Sequence, residues 1–141
     1  MPDFQGMRVT QGDYVPPRGI DVHRVQIVRH DDEMRLDRFG HIGWGGNSGF
    51  QALNLAVQFG AKRVVLVGYD MHLDAGVHWH GRHGGRLSNP TSANARSWRK
   101  RLDDVAGTLA GIGVEVLNTS KISALQNYRK VDFEEAINAT A

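Results

Sequence analysis

Between residues 62 and 68 the chain reads Lys62-Arg63-Val64-Val65-Leu66-Val67-Gly68, a β-branched apolar run with no polar alternation. A strand of that kind is buried on both faces, which points to a parallel sheet in an α/β protein. Just upstream, Phe50-Gln51-Ala52-Leu53-Asn54-Leu55-Ala56-Val57-Gln58-Phe59 is rich in helix formers. It predicts a helix that starts at Asn47 or Ser48 and ends against a left-handed Gly60.

Further along, Ala95, Trp98, Leu102, Val105, Ala106 and Leu109 recur at helical spacing. They predict an amphipathic helix over about 91–110, closed by Gly111 or Gly113. Val22 to Val28 alternates and is β-branched, and Val114 to Asn118 is a second short apolar run, so both are expected strands. Asp132-Phe133-Glu134-Glu135 has the form of a capping box, with Val131 and Ala136 as its staple, and opens a short helix through Asn138. Residues 1–20, with Pro16, Pro17 and Gly19, read as a loop or arm, and the charged stretch Arg29–Arg38 as a surface connection. The alternation of strand and helix implies α/β, a parallel sheet with helices on both faces, in a single domain over residues 1–141.

Composition narrows the chemistry. The 141 residues contain no cysteine, so disulfides, thiolate metal sites and a cysteine nucleophile are excluded. No apolar stretch approaches the roughly 18–20 residues a membrane span needs. The start, Met1-Pro2-Asp3-Phe4-Gln5-Gly6, does not read as a secretory leader, and a cytoplasmic location is expected. The net charge of +2 is too small for a nucleic-acid footprint. The basic run Arg96-Ser97-Trp98-Arg99-Lys100-Arg101 reads as the wet face of the second helix.

Glycine and histidine are concentrated rather than diffuse. Eleven of the 17 glycines lie between Gly40 and Gly85. Gly45, Gly46, Asn47, Ser48 and Gly49 form a glycine-rich turn before the first helix. Such a turn either offers backbone N–H groups to an anion or lets helix and sheet approach closely. Its spacing matches neither the dinucleotide fingerprint nor the P-loop.

Tyr69 and Asp70 follow the apolar strand, on the edge where open α/β sheets bind ligands. Asn118, Ser120 and Ser123 follow the next strand and are offered either to a ligand or to turn chemistry. In the long loop from Gly68 to about Asn89, His72, His78, His80 and His83 fall close together. His78 and His80 are candidate general bases, because imidazole titrates near neutrality. A zinc site built from this loop, and with it a metal-dependent hydrolase, is the weaker alternative.

Three runs together carry a resemblance: Gly45-Gly46-Asn47-Ser48-Gly49-Phe50-Gln51-Ala52-Leu53-Asn54-Leu55-Ala56, then Gly60 through Met71 with Gly68-Tyr69-Asp70, then His78-Trp79-His80-Gly81. They resemble a group of phage and prophage proteins over about residues 40–126. More distantly they are similar to bacterial sialyltransferases, motility-accessory glycosyltransferases and archaeal hydroxymethylpterin diphosphokinases. The resemblance implies a Rossmann-like fold and a nucleotide-linked ligand such as a CMP-sugar or ATP. The chemistry it implies is glycosyl or diphosphate transfer. In the sialyltransferases a histidine serves as base without an essential metal, and His78 or His80 would take that part here.

These families begin with an earlier strand and a Gly-Pro-Ser-type loop, and nothing like that pair precedes Val22. The expectation is therefore a fold lacking its first strand and loop, either a transferase or a non-catalytic nucleotide- or sugar-binding remnant. A sheet truncated in this way leaves an edge to cover, so a homo-oligomer is expected.

Overall fold

The computed structural model describes residues 4–11, 15–74, 76, 83–85 and 88–138. In chain order the elements are β1 (Val9–Gln11), β2 (His23–Val28), β3 (His41–Gly43), α1 (Ser48–Gln58), β4 (Arg63–Leu66), α2 (Ser92–Gly111), β5 (Glu115–Asn118), β6 (Arg129–Lys130) and α3 (Phe133–Asn138). They form a mixed α/β fold with two three-stranded sheets, ordered β1-β2-β3 and β4-β5-β6. Every pairing is parallel: Val9 lies opposite His23, Gln26 opposite His41, Arg63 opposite Glu115 and Leu117 opposite Arg129.

The long elements form for the reasons their sequences give. Asn47 caps α1, its side-chain oxygen accepting from the Phe50 N–H at 2.9 Å. At the other end Gly60 takes φ 87°, and the Gly60 and Ala61 N–H groups donate to Val57 and Ala56. This pair of bonds is the Schellman closure, and its left-handed residue favours glycine. Thr91 and Asn94 cap α2 reciprocally: the Asn94 N–H donates to Thr91 Oγ1 at 3.1 Å, and the Thr91 N–H to Asn94 Oδ1 at 3.0 Å.

Strand β4 stops at Leu66, short of the apolar run, where Val67 turns outward and Gly68 adopts φ 74°. At α3 the expected capping pair takes other partners. Asp132 pairs with Lys121 at 2.6 Å and Glu135 with Arg129 at 3.1 Å. The staple residues Val131 and Ala136 are buried together with Leu117.

Three short strands lie where none was expected. β1 falls inside the stretch read as a loop or arm, so a strand does precede β2. β3 occupies three residues directly before the glycine turn, and β6 is the charged pair Arg129–Lys130. None of them is long enough to display a period of two.

The main core joins Phe50, Leu53 and Val57 of α1 to Leu66 of β4, Leu102, Val105 and Leu109 of α2, and Val116 of β5. Leu117 faces the other way, into the cluster with Val131 and Ala136, and Val65 packs there too. Neighbouring strand residues point to opposite faces, so β4 and β5 carry apolar contacts on both sides. Strands β1 and β2 contribute to neither cluster. Among the described residues no helix is long and apolar enough to cross a membrane.

Candidate functional site

The carboxyl ends of β3, β4 and β5 meet at one edge, and the ties between them can be followed bond by bond. Tyr69, beyond β4, donates its hydroxyl to the Gly49 carbonyl at 3.0 Å. This brings the end of β4 to the first turn of α1, which itself follows β3. Burial pushes the Tyr69 phenol above its ordinary pKa, which keeps it a neutral donor. A Cβ on Gly49 would lie 3.0 Å from the Tyr69 ring, so glycine there permits the approach.

Gly45 and Gly46 have φ 53° and 76°. A Cβ on Gly46 would stand 2.4 Å from Arg101 Nη1 and 3.1 Å from the Trp98 ring. The turn thus lies close against α2. Helix geometry leaves the N–H groups of Ser48 and Gly49 without an intrahelical acceptor.

Asp70 is held at two points. Its carbonyl accepts from the Ala124 N–H at 2.7 Å, and its carboxylate accepts from the Ser120 hydroxyl. The next residue, Met71, is non-glycine at φ 55°, a left-handed backbone that persists only where surroundings enforce it. Ser123 adds a hydroxyl bond to the Tyr69 carbonyl.

Asn118 is fully buried at the end of β5. Its side-chain oxygen accepts from the Ser120 N–H at 3.0 Å, while its Nδ2 has no hydrogen-bond partner among the described residues. A buried amide donor left unpaired is costly, so the orphan at the carboxyl end of β5 is notable. Asp70, Tyr69, Asn118 and Ser120 are therefore brought together, and Tyr69 links them to the turn at Gly45–Gly49.

The histidines divide. His78 and His80 lie outside the described residues. His72 is anchored: its Nδ1 accepts from the Asp74 N–H at 3.2 Å and its Nε2 meets the Ile122 carbonyl at 2.9 Å. This arrangement requires the proton on Nε2. It pins the loop after β4 to the loop after β5. The His83 backbone exchanges two hydrogen bonds with the Asn89 side chain at the far end of the same loop. Among the described residues no three His, Cys, Asp or Glu side chains are grouped to hold a metal.

The structure adds a feature absent from the expected site. A cleft of about 280 Å³ beside the glycine turn is lined by Arg29, His30, Asp32, Trp44 and Arg101. Its charges come from two runs read as solvated surface, Arg29–Arg38 and Arg96–Arg101. The one signal in the sequence was that Arg101 falls three residues after Trp98, on the edge of the apolar stripe of α2. No family model, curated protein or solved structure matches this chain.

Proposed function

We propose that the protein binds a nucleotide-linked small molecule, of the nucleotide-sugar or nucleoside-polyphosphate class, on a Rossmann-like frame, and acts in glycosyl or diphosphate transfer. The observation that carries this reading is the Ser120–Asp70 bond at the ends of two neighbouring parallel strands, beside the unpaired Nδ2 of buried Asn118. Ligands of parallel α/β sheets sit at such an edge.

In this reading Asp70 accepts hydroxyl groups of the ribose or the acceptor, and Tyr69, Asn118 and Ser120 complete that wall. The turn Gly45–Gly49 lies beside the phosphates, with the Ser48 and Gly49 amides as donors. His78 or His80 takes the proton from the acceptor hydroxyl. The acceptor oxygen then bonds to the anomeric carbon or the phosphorus, and the nucleotide leaves with the electron pair of the broken bond.

One observation favours a binding module without turnover. The Asp70 carboxylate and the Tyr69 hydroxyl already have partners inside the protein. Binding and turnover separate the two readings.

Homo-oligomer formation belongs to the same proposal. It is supported by the exposed edge-to-face pair Phe39–Phe59, at 5.5 Å between ring centres. Light scattering that finds only monomer at micromolar concentration would remove it.

The test is thermal unfolding with CMP, ATP and CMP-sugars. A ligand at about 100 times its Kd stabilises by roughly 2.7 kcal/mol. Asp70→Ala should lose that gain while its melting point without ligand stays near wild type. No stabilisation by any of these compounds would end the proposal.

A further inference from the structure

The cleft at the ends of β2 and β3 has a chemistry of its own. Arg29 follows β2, and its guanidinium carbon lies over the Trp44 ring at 5.5 Å from the ring centre. A guanidinium held over a ring face by its charge still has N–H groups for an oxyanion. Trp44 is fixed on both sides of its backbone. Its N–H donates to the Asp31 carbonyl at 2.7 Å, and its carbonyl accepts from Gln51 Nε2 at 2.9 Å. The backbone that carries the ring is thereby held in place.

The second guanidinium arrives from α2. Arg101 reaches Asp32 at 2.8 Å and the Gly45 carbonyl at 3.5 Å. It reaches them over Gly46, where any Cβ would stand 2.4 Å from its Nη1. His30, which also lines the cleft, sits at φ 68°, a second non-glycine residue held in the left-handed region. Two guanidinium groups thus line one cleft in which, among the described residues, Asp32 supplies the carboxylate.

We infer that this cleft is a phosphate-binding site, in which a phosphate or diphosphate group takes the N–H edges of Arg29 and Arg101 in competition with Asp32. Guanidinium forks match phosphate oxygens in charge and in bidentate geometry. The inference goes beyond the nucleotide reading and does not depend on Asp70: the group recognised is the oxyanion, whether free or carried by a nucleotide.

The experiment is calorimetric titration of the full chain with sodium pyrophosphate at fixed ionic strength, followed by the nucleotides named above. Arg29 is exposed, so Arg29→Gln should fold as wild type does, and its Kd for pyrophosphate should rise about tenfold or more. Asp32→Asn should act in the opposite sense and tighten binding several-fold, because it releases Arg101. Opposite shifts from neighbouring residues are not the signature of a structural role. Asp70→Ala should leave pyrophosphate binding unchanged, so loss of the nucleotide reading and loss of this one are separately visible. Nucleotide binding that Arg29→Gln weakens would assign the site to a nucleotide phosphate; weakening with pyrophosphate alone would assign it to free phosphate or diphosphate. Absence of binding to the wild-type protein at millimolar pyrophosphate, or equal Kd values for wild type, Arg29→Gln and Asp32→Asn, would overturn the inference.

Discussion

Asn54 sits in the middle of α1 with none of its surface exposed, and replacing it with alanine should loosen one half of the molecule before the other. Its Oδ1 accepts two backbone bonds, from Arg35 N–H and Gly43 N–H, each at 3.0 Å. Its Nδ2 donates to the Arg35 carbonyl at 2.7 Å. That carbonyl also receives Gln58 Nε2 at 2.9 Å, so it keeps a partner when Asn54 is lost. The two N–H groups are the ones left stranded, and the Gly43 bond is buried. An orphaned buried donor costs about 1–3 kcal/mol, which puts Asn54→Ala at about 2–6 kcal/mol for the pair. That is a large part of the roughly 5–15 kcal/mol a domain holds in total. At about 3 °C per kcal/mol for a chain of this size, the midpoint should fall by roughly 6–18 °C. Urea unfolding measures the total. Hydrogen exchange locates it: the amides of Gly43 and Arg35 should lose protection first, while those of α2 follow only the global change. A loss below about 1 kcal/mol, or uniform loss of protection along the chain, would refute the assignment of Asn54 as the tie that holds β3.

Two further outcomes follow from the same geometry. Gly60→Ala and Gly46→Ala both force alanine into the left-handed region, but only Gly46 has atoms in the way. Gly60→Ala should cost about 1 kcal/mol, and Gly46→Ala clearly more, as measured by denaturant midpoints. Tyr128 donates its hydroxyl to the Leu102 carbonyl, and burial, with the Asp103 charge behind it, raises its pKa. Tyr69 is raised by burial as well. The unfolded chain releases these protons near pH 10 while the folded chain retains them, so stability should fall as pH rises above about 10. Urea titrations at pH 9 and 11 should show that loss, and Tyr128→Phe should make it shallower; an unchanged slope would remove Tyr128 as its source.

What could be read in the sequence follows from where each stabilising contact lies. α1 and α2 were legible because their caps, apolar stripes and closing glycines sit within the helices themselves. β4 and β5 were legible because burial on both faces leaves an apolar run. β3 was not. Three residues make no pattern, and the groups that hold it lie on a different element. Gln58 donates to the His41 carbonyl at 2.7 Å and accepts from the Gly40 N–H at 2.9 Å, and Asn54 takes the Gly43 N–H. In the sequence these amides read as ordinary polar positions on a helix. β6 was hidden for a related reason: a pair of exposed basic residues becomes a strand only through its bonds to β5.

The edge shows the same division in the chemistry. Asp70 and Ser120 could be chosen in advance because each follows a readable strand, and parallel strands bring their carboxyl ends together whatever the side chains are. Arg29 and Arg101 lie about half the chain apart and line one cleft only because α2 crosses over the glycine turn. Their neighbours in sequence are charged, and charge density reads as solvation until packing selects one member of the run. The turn itself shows why neither of its expected uses excluded the other. Gly46 is required for the approach of α2, and that approach is what delivers the Arg101 guanidinium to the cleft. A glycine that serves packing thereby sets the charge beside the site. The Gly46→Ala variant should therefore lose pyrophosphate affinity together with stability, whereas Gly60→Ala, strained in the same way but far from Arg101 in sequence and with open space around it, should lose stability alone.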